Sequence, residues 1–182
     1  REGVVPGDFK RATVIPLLKK PGADFKDLKN FHLISLLPVA FKILEKHVTA
    51  AFGNFLQVRR PLHPQQAGLQ AAHSTEAVMV SVIDDLRMSA YKNKTTALIL
   101  LHLSAAFDTV DHNFLVRTLA QAGVLGRGLQ WFDSFLQGWF QSVRLRQFSS
   151  PCTTLDLGVP QGCSLSPPLI VQCLHATSDC ST

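Results

Sequence analysis

Residues 99–112 read Ile-Leu-Leu-His-Leu-Ser-Ala-Ala-Phe-Asp-Thr-Val-Asp-His. A histidine at the end of an apolar run, followed by a small-residue turn with two aspartates, places three groups that can carry chemistry within ten positions, 102–111. The carboxylate of Asp111 suits the amides at the start of a helix. The imidazole of His102 offers a nitrogen and, at neutral pH, no negative charge. A hydrogen-bonded histidine closing a buried strand is the better reading of that position than a working metal ligand. Further on, Gly158-Val159-Pro160-Gln161-Gly162 has the composition of a chain-bending turn. Basic residues gather at Lys19-Lys20, Arg59-Arg60 and Arg144/Arg146, and the last pair alternates with Val143 and Leu145 so as to leave one face of a strand.

These groups need elements to hold them. The run 95–103 has the length and continuity of a strand covered on both faces. Residues 13–22 read as a short strand leaving through a Lys-Lys-Pro-Gly turn. A long helix starts at Pro38, with Val39, Ile43, Leu44, Val48, Phe52 and Phe55 at helical spacing. A second helix is capped by Ser74 and directs Val78, Val82, Ile83 and Leu86 inward. Asp111 caps a third, which carries Leu115, Leu119 and Ala122 and stops at Gly123. A fourth carries Leu129, Phe132, Phe135 and Leu136 and ends near Gly138. The segments Ser142–Phe148 and Thr153–Val159 form a hairpin turning at Ser150-Pro151. Mixed helices and strands with long crossovers define an α+β chain with a mixed sheet and packed helices.

Composition narrows the function classes. The chain has 182 residues, 46% of them hydrophobic, enough for a buried core. Net charge is +5, which suits a polyanionic partner such as RNA or DNA. No apolar run reaches the ~18 residues of a membrane span, and the N-terminus lacks the apolar stretch of a signal peptide. The four cysteines (Cys152, Cys163, Cys173, Cys180) form no Cys-x-x-Cys pair, so neither a zinc site nor a disulfide framework is expected. Reduced thiols fit an intracellular setting, nucleus or cytoplasm.

Five segments taken in order, Asp8–Gly22, Asn30–Val48, Pro64–Ala77, Leu101–His112 and Leu157–Leu169, resemble successive blocks of the reverse transcriptase of non-LTR, LINE-type retrotransposons. The resemblance spans roughly residues 4–169. It implies a partial right-hand polymerase, with fingers over 1–90, an incomplete palm over 91–169, and a divergent, unstructured tail over 170–182. The implied activity is RNA-directed DNA synthesis assisted by two Mg²⁺ ions. In the block Asp-x-x-x-Ala-Phe-Asp the first aspartate is the metal ligand, and here that position is His102. No Asp-Asp block follows Leu169 in this sequence. The expectation is therefore a reverse transcriptase domain that is catalytically inactive, with no cofactor of its own where active relatives use Mg²⁺.

The resemblance also gives nucleotide-binding roles to Phe107, as the aromatic gate against the sugar 2′ position, and to Gln161 and Gly162. It leaves Lys19, Lys20, Arg59, Arg60, Arg144 and Arg146 to hold RNA or DNA weakly. Fingers arginines of the family are replaced by His32 and Gln70, which lack the guanidinium's permanent charge. Two alternatives remain: a fragment of a longer active polymerase, and a domesticated RNA-binding or interaction module. An open edge on the 96–103 strand would invite aggregation or a chaperone.

Overall fold

The computed structural model describes residues 3–59, 66–68, 73–101 and 106–179. Contacts divide the chain into two units, residues 1–60 with 105–182, and residues 61–104.

The larger unit is built on a mixed sheet. Strand β1 (Arg11–Leu18) pairs antiparallel with β2 (Phe31–Leu36) and parallel with β3 (Trp139–Leu145). The far edge of β3 is shared by β5 (Thr153–Leu155) along its first half and β4 (Phe148–Ser149) along its second. Around the sheet lie α1 (Val39–Arg59), α3 (His112–Gln121), α4 (Gly126–Leu136) and α5 (Ser166–Asp179). The architecture is α+β, as the pattern of elements implied.

One aromatic cluster ties helices to sheet. Phe41 of α1 stacks on Phe135 of α4 at 6.0 Å and meets Trp139 of β3 edge-on at 5.4 Å. Phe52 and Phe132 close the other end at 4.9 Å. The Trp139 indole N–H donates to the Phe135 carbonyl, so the polar edge of the largest buried ring is satisfied. Leu115, Leu119, Leu165 and Leu169 complete the core from α3 and the start of α5.

Local capping explains the helix starts. The Asp111 carboxylate accepts from the Phe114 amide at 2.7 Å, and Gly123 follows α3 at φ +90°. Two expectations shift by a few residues. The buried stripe of α1 runs through Phe41, Glu45, Phe52 and Leu56, whereas Val39 and Ile43 are 78% and 71% exposed. The aromatic cluster sets this rotation, because Phe41 has two rings to meet and Val39 none. The hairpin after β3 turns at Arg146-Gln147, with Arg146 at φ +55°, and not at Ser150-Pro151. Ser150 instead bridges back to Val143, and Pro151, which lacks an N–H, separates β4 from β5.

The unstructured tail expected from residue 170 is replaced by helix through Asp179. Pro167 and Pro168 sit in the first turn of α5, where they cost no hydrogen bond, and Ile170, Gln172 and Cys173 are buried. Packing of that apolar face stabilises a helix that a Ser/Thr-rich end does not suggest.

The smaller unit contains α2 (Thr75–Tyr91). The Ser74 hydroxyl accepts from the Ala77 amide at 3.2 Å, as expected of a cap. No residue of α2 is buried, and Val78 and Ile83, expected to face inward, are exposed. The strand expected over 95–103 is not formed over 95–101, where Leu98 to Leu101 are 55–88% exposed; residues 102 and 103 lie outside the described residues. A strand exists by virtue of its ladder, and among the described residues none of the paired strands takes this run as a partner. No described helix is long and apolar enough to cross a membrane.

Candidate nucleotide site

The segment from Gly158 to Leu165 is held on three sides. On one side it crosses the turn after residue 105. The Gly158 and Val159 amides donate to the carbonyls of Val110 and Phe107 at 2.8 and 2.7 Å. The buried His112 ring places Nε2 2.6 Å from the Gly158 carbonyl, so Nε2 carries the proton and donates. This crossing requires glycine: Gly158 has φ +77°, and a Cβ there would stand 2.5 Å from the Phe107 carbonyl oxygen. On the second side the Ser35 amide of β2 donates to the Gln161 carbonyl at 2.8 Å. The third side is α1, where Lys42 Nζ donates to the Gly162 carbonyl at 2.5 Å and the Leu165 amide donates to Glu45 Oε1 at 3.2 Å.

These contacts shape a cavity of about 630 Å³. Its walls come from Leu17 and Leu18 of β1, His32 to Ile34 of β2, Phe107, the run from Gln161 to Ser164, and Pro167. Phe107, Gln161 and Gly162, separated by more than fifty residues of sequence, thus line one space. His32 lines it too. The Gln161 side-chain amide donates to both Asp108 oxygens, at 2.8 and 3.0 Å. Within this wall Cys163 has its thiol pKa pushed up to about 12, first by burial and then by the adjacent Glu45 carboxylate, so it is a poor nucleophile.

The basic residues divide. Lys19 and Lys20 are exposed just past β1, and Arg144 and Arg146 are exposed at the end of β3. Because β1 and β3 run parallel, with Val14 opposite Val143, all four leave the same end of the sheet. The side chain of Arg59, all of Arg60, Gln70 and His102 lie outside the described residues.

The carboxylates beside the cavity have partners within the fold. Asp108 is engaged by Gln161, and Asp111 is committed to capping α3. Among the described residues no three His, Cys, Asp or Glu side chains gather as ligands. Sequence reasoning missed Lys42, Glu45 and His112, which hold the loop. The available signal for Glu45 was its spacing from Phe41 and Phe52, which puts it on the buried stripe.

A mixed sheet with helices packed against it thus frames a cavity bounded by Gln161 and Gly162. Residues 18–179 match the family model described as reverse transcriptase (RNA-dependent DNA polymerase), and the chain belongs to that family. It is 26% identical over 164 residues to a probable RNA-directed DNA polymerase from transposon X-element of Drosophila melanogaster, covering 90% of this chain and 18% of the relative. It is 28% identical over 169 residues to the RNA-directed DNA polymerase from mobile element jockey of Drosophila funebris, covering 93% of this chain and 18% of the relative. It is 29% identical over 170 residues to the transposon TX1 uncharacterized 149 kDa protein of Xenopus laevis, covering 91% and 12%. The domain is thus a LINE-type reverse transcriptase domain, as its motifs implied, and the chain spans under a fifth of these relatives' length. Among solved structures, apo telomerase from Candida tropicalis matches with a TM-score of 0.57 at 16% identity, over 98% of this chain and 40% of that one. That likeness shows the fold.

Proposed function

We propose that the cavity between the β1–β2 pair and the 158–165 loop holds a deoxynucleoside triphosphate, and that this chain does not itself polymerise it. In this reading Phe107 lies against the sugar, and the Gln161 and Gly162 backbone lies along nucleotide and template. Residues 1–90 act as fingers and 91–169 as palm. Lys19, Lys20, Arg59, Arg60, Arg144 and Arg146 meet nucleic-acid phosphates. The observation that carries the reading is the convergence of Phe107, Gln161 and Gly162 on one cavity of nucleotide size.

The inactive half of the proposal rests on His102 standing where the family's first metal-binding aspartate stands. An imidazole there supplies no negative charge to Mg²⁺. Transition-state stabilisation of the kind a two-metal site provides is worth many decades in rate. The test is primer extension on an RNA template with Mg²⁺, run beside equilibrium binding of a fluorescent dTTP. Saturable nucleotide binding with no template-dependent extension is expected. Extension above the buffer control that disappears in His102→Ala refutes the inactive reading, and a failure to bind nucleotide refutes the cavity reading.

A further inference from the structure

Helix α1 buries one ionisable side chain among its aromatic residues. Glu45 is 0% exposed, on the same stripe as Phe41 and Phe52. Burying an ionised carboxylate is strongly unfavourable unless partners compensate it, and a leucine at this position would pack without that penalty. What Glu45 does differently from a leucine is visible in its partners. Its Oε1 accepts from the Leu165 amide at 3.2 Å. The same carboxylate helps to push the Cys163 thiol up, after burial. Its Oε2 accepts no hydrogen bond and lies 3.0 Å from the Lys42 ammonium. Lys42 in turn donates to the Gly162 carbonyl at 2.5 Å. Two side chains one helical turn apart therefore grip residues 162 and 165, on either side of Cys163 and just after Gln161.

We propose that Glu45, paired with Lys42, is a positioning residue: the pair fixes the Gln161-Gly162 backbone in the shape that walls the cavity. The part this shape plays in ligand binding rests on the nucleotide reading above, whereas the fastening itself does not. The loop's other anchors lie N-terminal to Gly162, at Gly158, Val159 and Gln161, with Ser166 donating to the Pro160 carbonyl at 3.0 Å. Within the stretch from Gly162 to Leu165 the Cys163 amide donates to the Pro160 carbonyl at 3.2 Å and the Cys163 carbonyl accepts from the Ser166 amide at 3.3 Å, and the side-chain hydrogen bonds that reach it come from α1. Charge-assisted bonds are directional, and the Glu45–Leu165 bond is buried where it is strongest, while the Lys42 bond to Gly162 is partly open to solvent. Glu45 also depends on Lys42: without the ammonium, Oε2 becomes an uncompensated buried charge.

The loop carries its own reporter. Cys163 is buried in the cavity wall, Cys152 is exposed, and Cys173 is buried in α5. Alkylation of the full chain by N-ethylmaleimide, read peptide by peptide by mass spectrometry, compares the three. In the wild type Cys152 reacts and Cys163 is protected. Glu45→Gln is expected to raise Cys163 labelling about tenfold, with Cys173 unchanged, because local opening becomes easier by about one charged hydrogen bond. Lys42→Met is the cleaner variant, and it serves where Glu45→Gln fails to fold. The carboxylate remains, so the thiol is no easier to ionise and faster labelling reports opening alone. Fluorescent dTTP binding should weaken by a similar factor in both variants. Unchanged Cys163 protection in Lys42→Met overturns the proposal. So does a rise at Cys173 in step with Cys163, which marks general loosening. Faster Cys163 labelling in a chain whose wild type binds no dTTP supports the fastening and refutes the nucleotide reading.

Discussion

Replacing Gly158 by alanine tests how closely the 158–165 loop crosses the turn beneath it. Two penalties add. A left-handed φ of +77° costs an L-residue about 1 kcal/mol. The new Cβ would also stand 2.5 Å from the Phe107 oxygen and 2.8 Å from the Asp108 carbonyl carbon and Cα. All three are backbone atoms, so no side-chain rotation relieves the overlap. The loop must lift, stretching the Gly158–Val110 and Val159–Phe107 hydrogen bonds and the bond from His112. At about 1 kcal/mol for each of the two backbone bonds, the total comes to roughly 3 kcal/mol. Gly22 is a matched control: its φ is +83° and nothing lies within 4 Å of a Cβ there, so Gly22→Ala costs the conformational part alone, about 1 kcal/mol. Urea unfolding of both variants, with midpoint and slope fitted separately, should place Gly158→Ala about 2 kcal/mol below Gly22→Ala. In thermal melts that gap corresponds to roughly 4–8 °C for a chain of this size. Equal destabilisation by the two variants refutes the close crossing.

Other expectations are as specific. The Cys163 thiol, raised to about 12 by burial and by Glu45, contributes stability that is complete below its unfolded pKa near 8.5 and is lost as pH rises toward 12; stability should therefore fall between pH 8.5 and 10.5 more steeply in the wild type than in Cys163→Ala, and equal slopes refute that. Gln161→Ala removes an exposed hydrogen bond to Asp108, so it should cost under about 0.5 kcal/mol of stability while weakening dTTP binding; a large stability loss with unchanged binding reverses the assignment. Alanine at Lys19, Lys20, Arg144 and Arg146 together should flatten the log–log salt dependence of single-stranded RNA binding, by about 0.7 for each phosphate no longer neutralised; an unchanged slope removes that end of the sheet from the nucleic-acid surface.

What the sequence made legible follows the range of the interactions involved. Ser74 and Asp111 cap helices through hydrogen bonds reaching three residues along the chain, and both were readable from local pattern. Phe107, Gln161 and Gly162 were readable only through the family motifs, and the fold then brought them together across the gap between turn and loop. Position on a helix face was harder. Val39 and Ile43 have the right spacing for a buried stripe, but the stripe is set by Phe135 and Trp139 on other elements, which select Phe41 and Glu45 instead. A Lys-x-x-Glu pair within a helix reads as a solvated surface pair, so although the spacing of Glu45 from Phe41 and Phe52 signals its burial, its grip on residue 165 had no local signature. The run at 95–101 misled because apolar continuity favours a strand only where another strand is available to pair. Residues 170–179 misled in the opposite direction, because Ile170 and Cys173 bury a face that their polar neighbours conceal.

The central claim is that the cavity walled by Phe107, Gln161 and Gly162 holds a nucleotide, and photo-crosslinking with an azido-substituted deoxyadenosine triphosphate, mapped by peptide mass spectrometry, tests it most directly. The expected result is saturable labelling confined to peptides carrying residues 32–34, Phe107 and 161–164, suppressed by excess unlabelled dATP and reduced in Gln161→Ala. Labelling that fails to saturate, or that maps to α2 or to the β3–β4 turn and leaves the 158–165 peptide untouched, contradicts it.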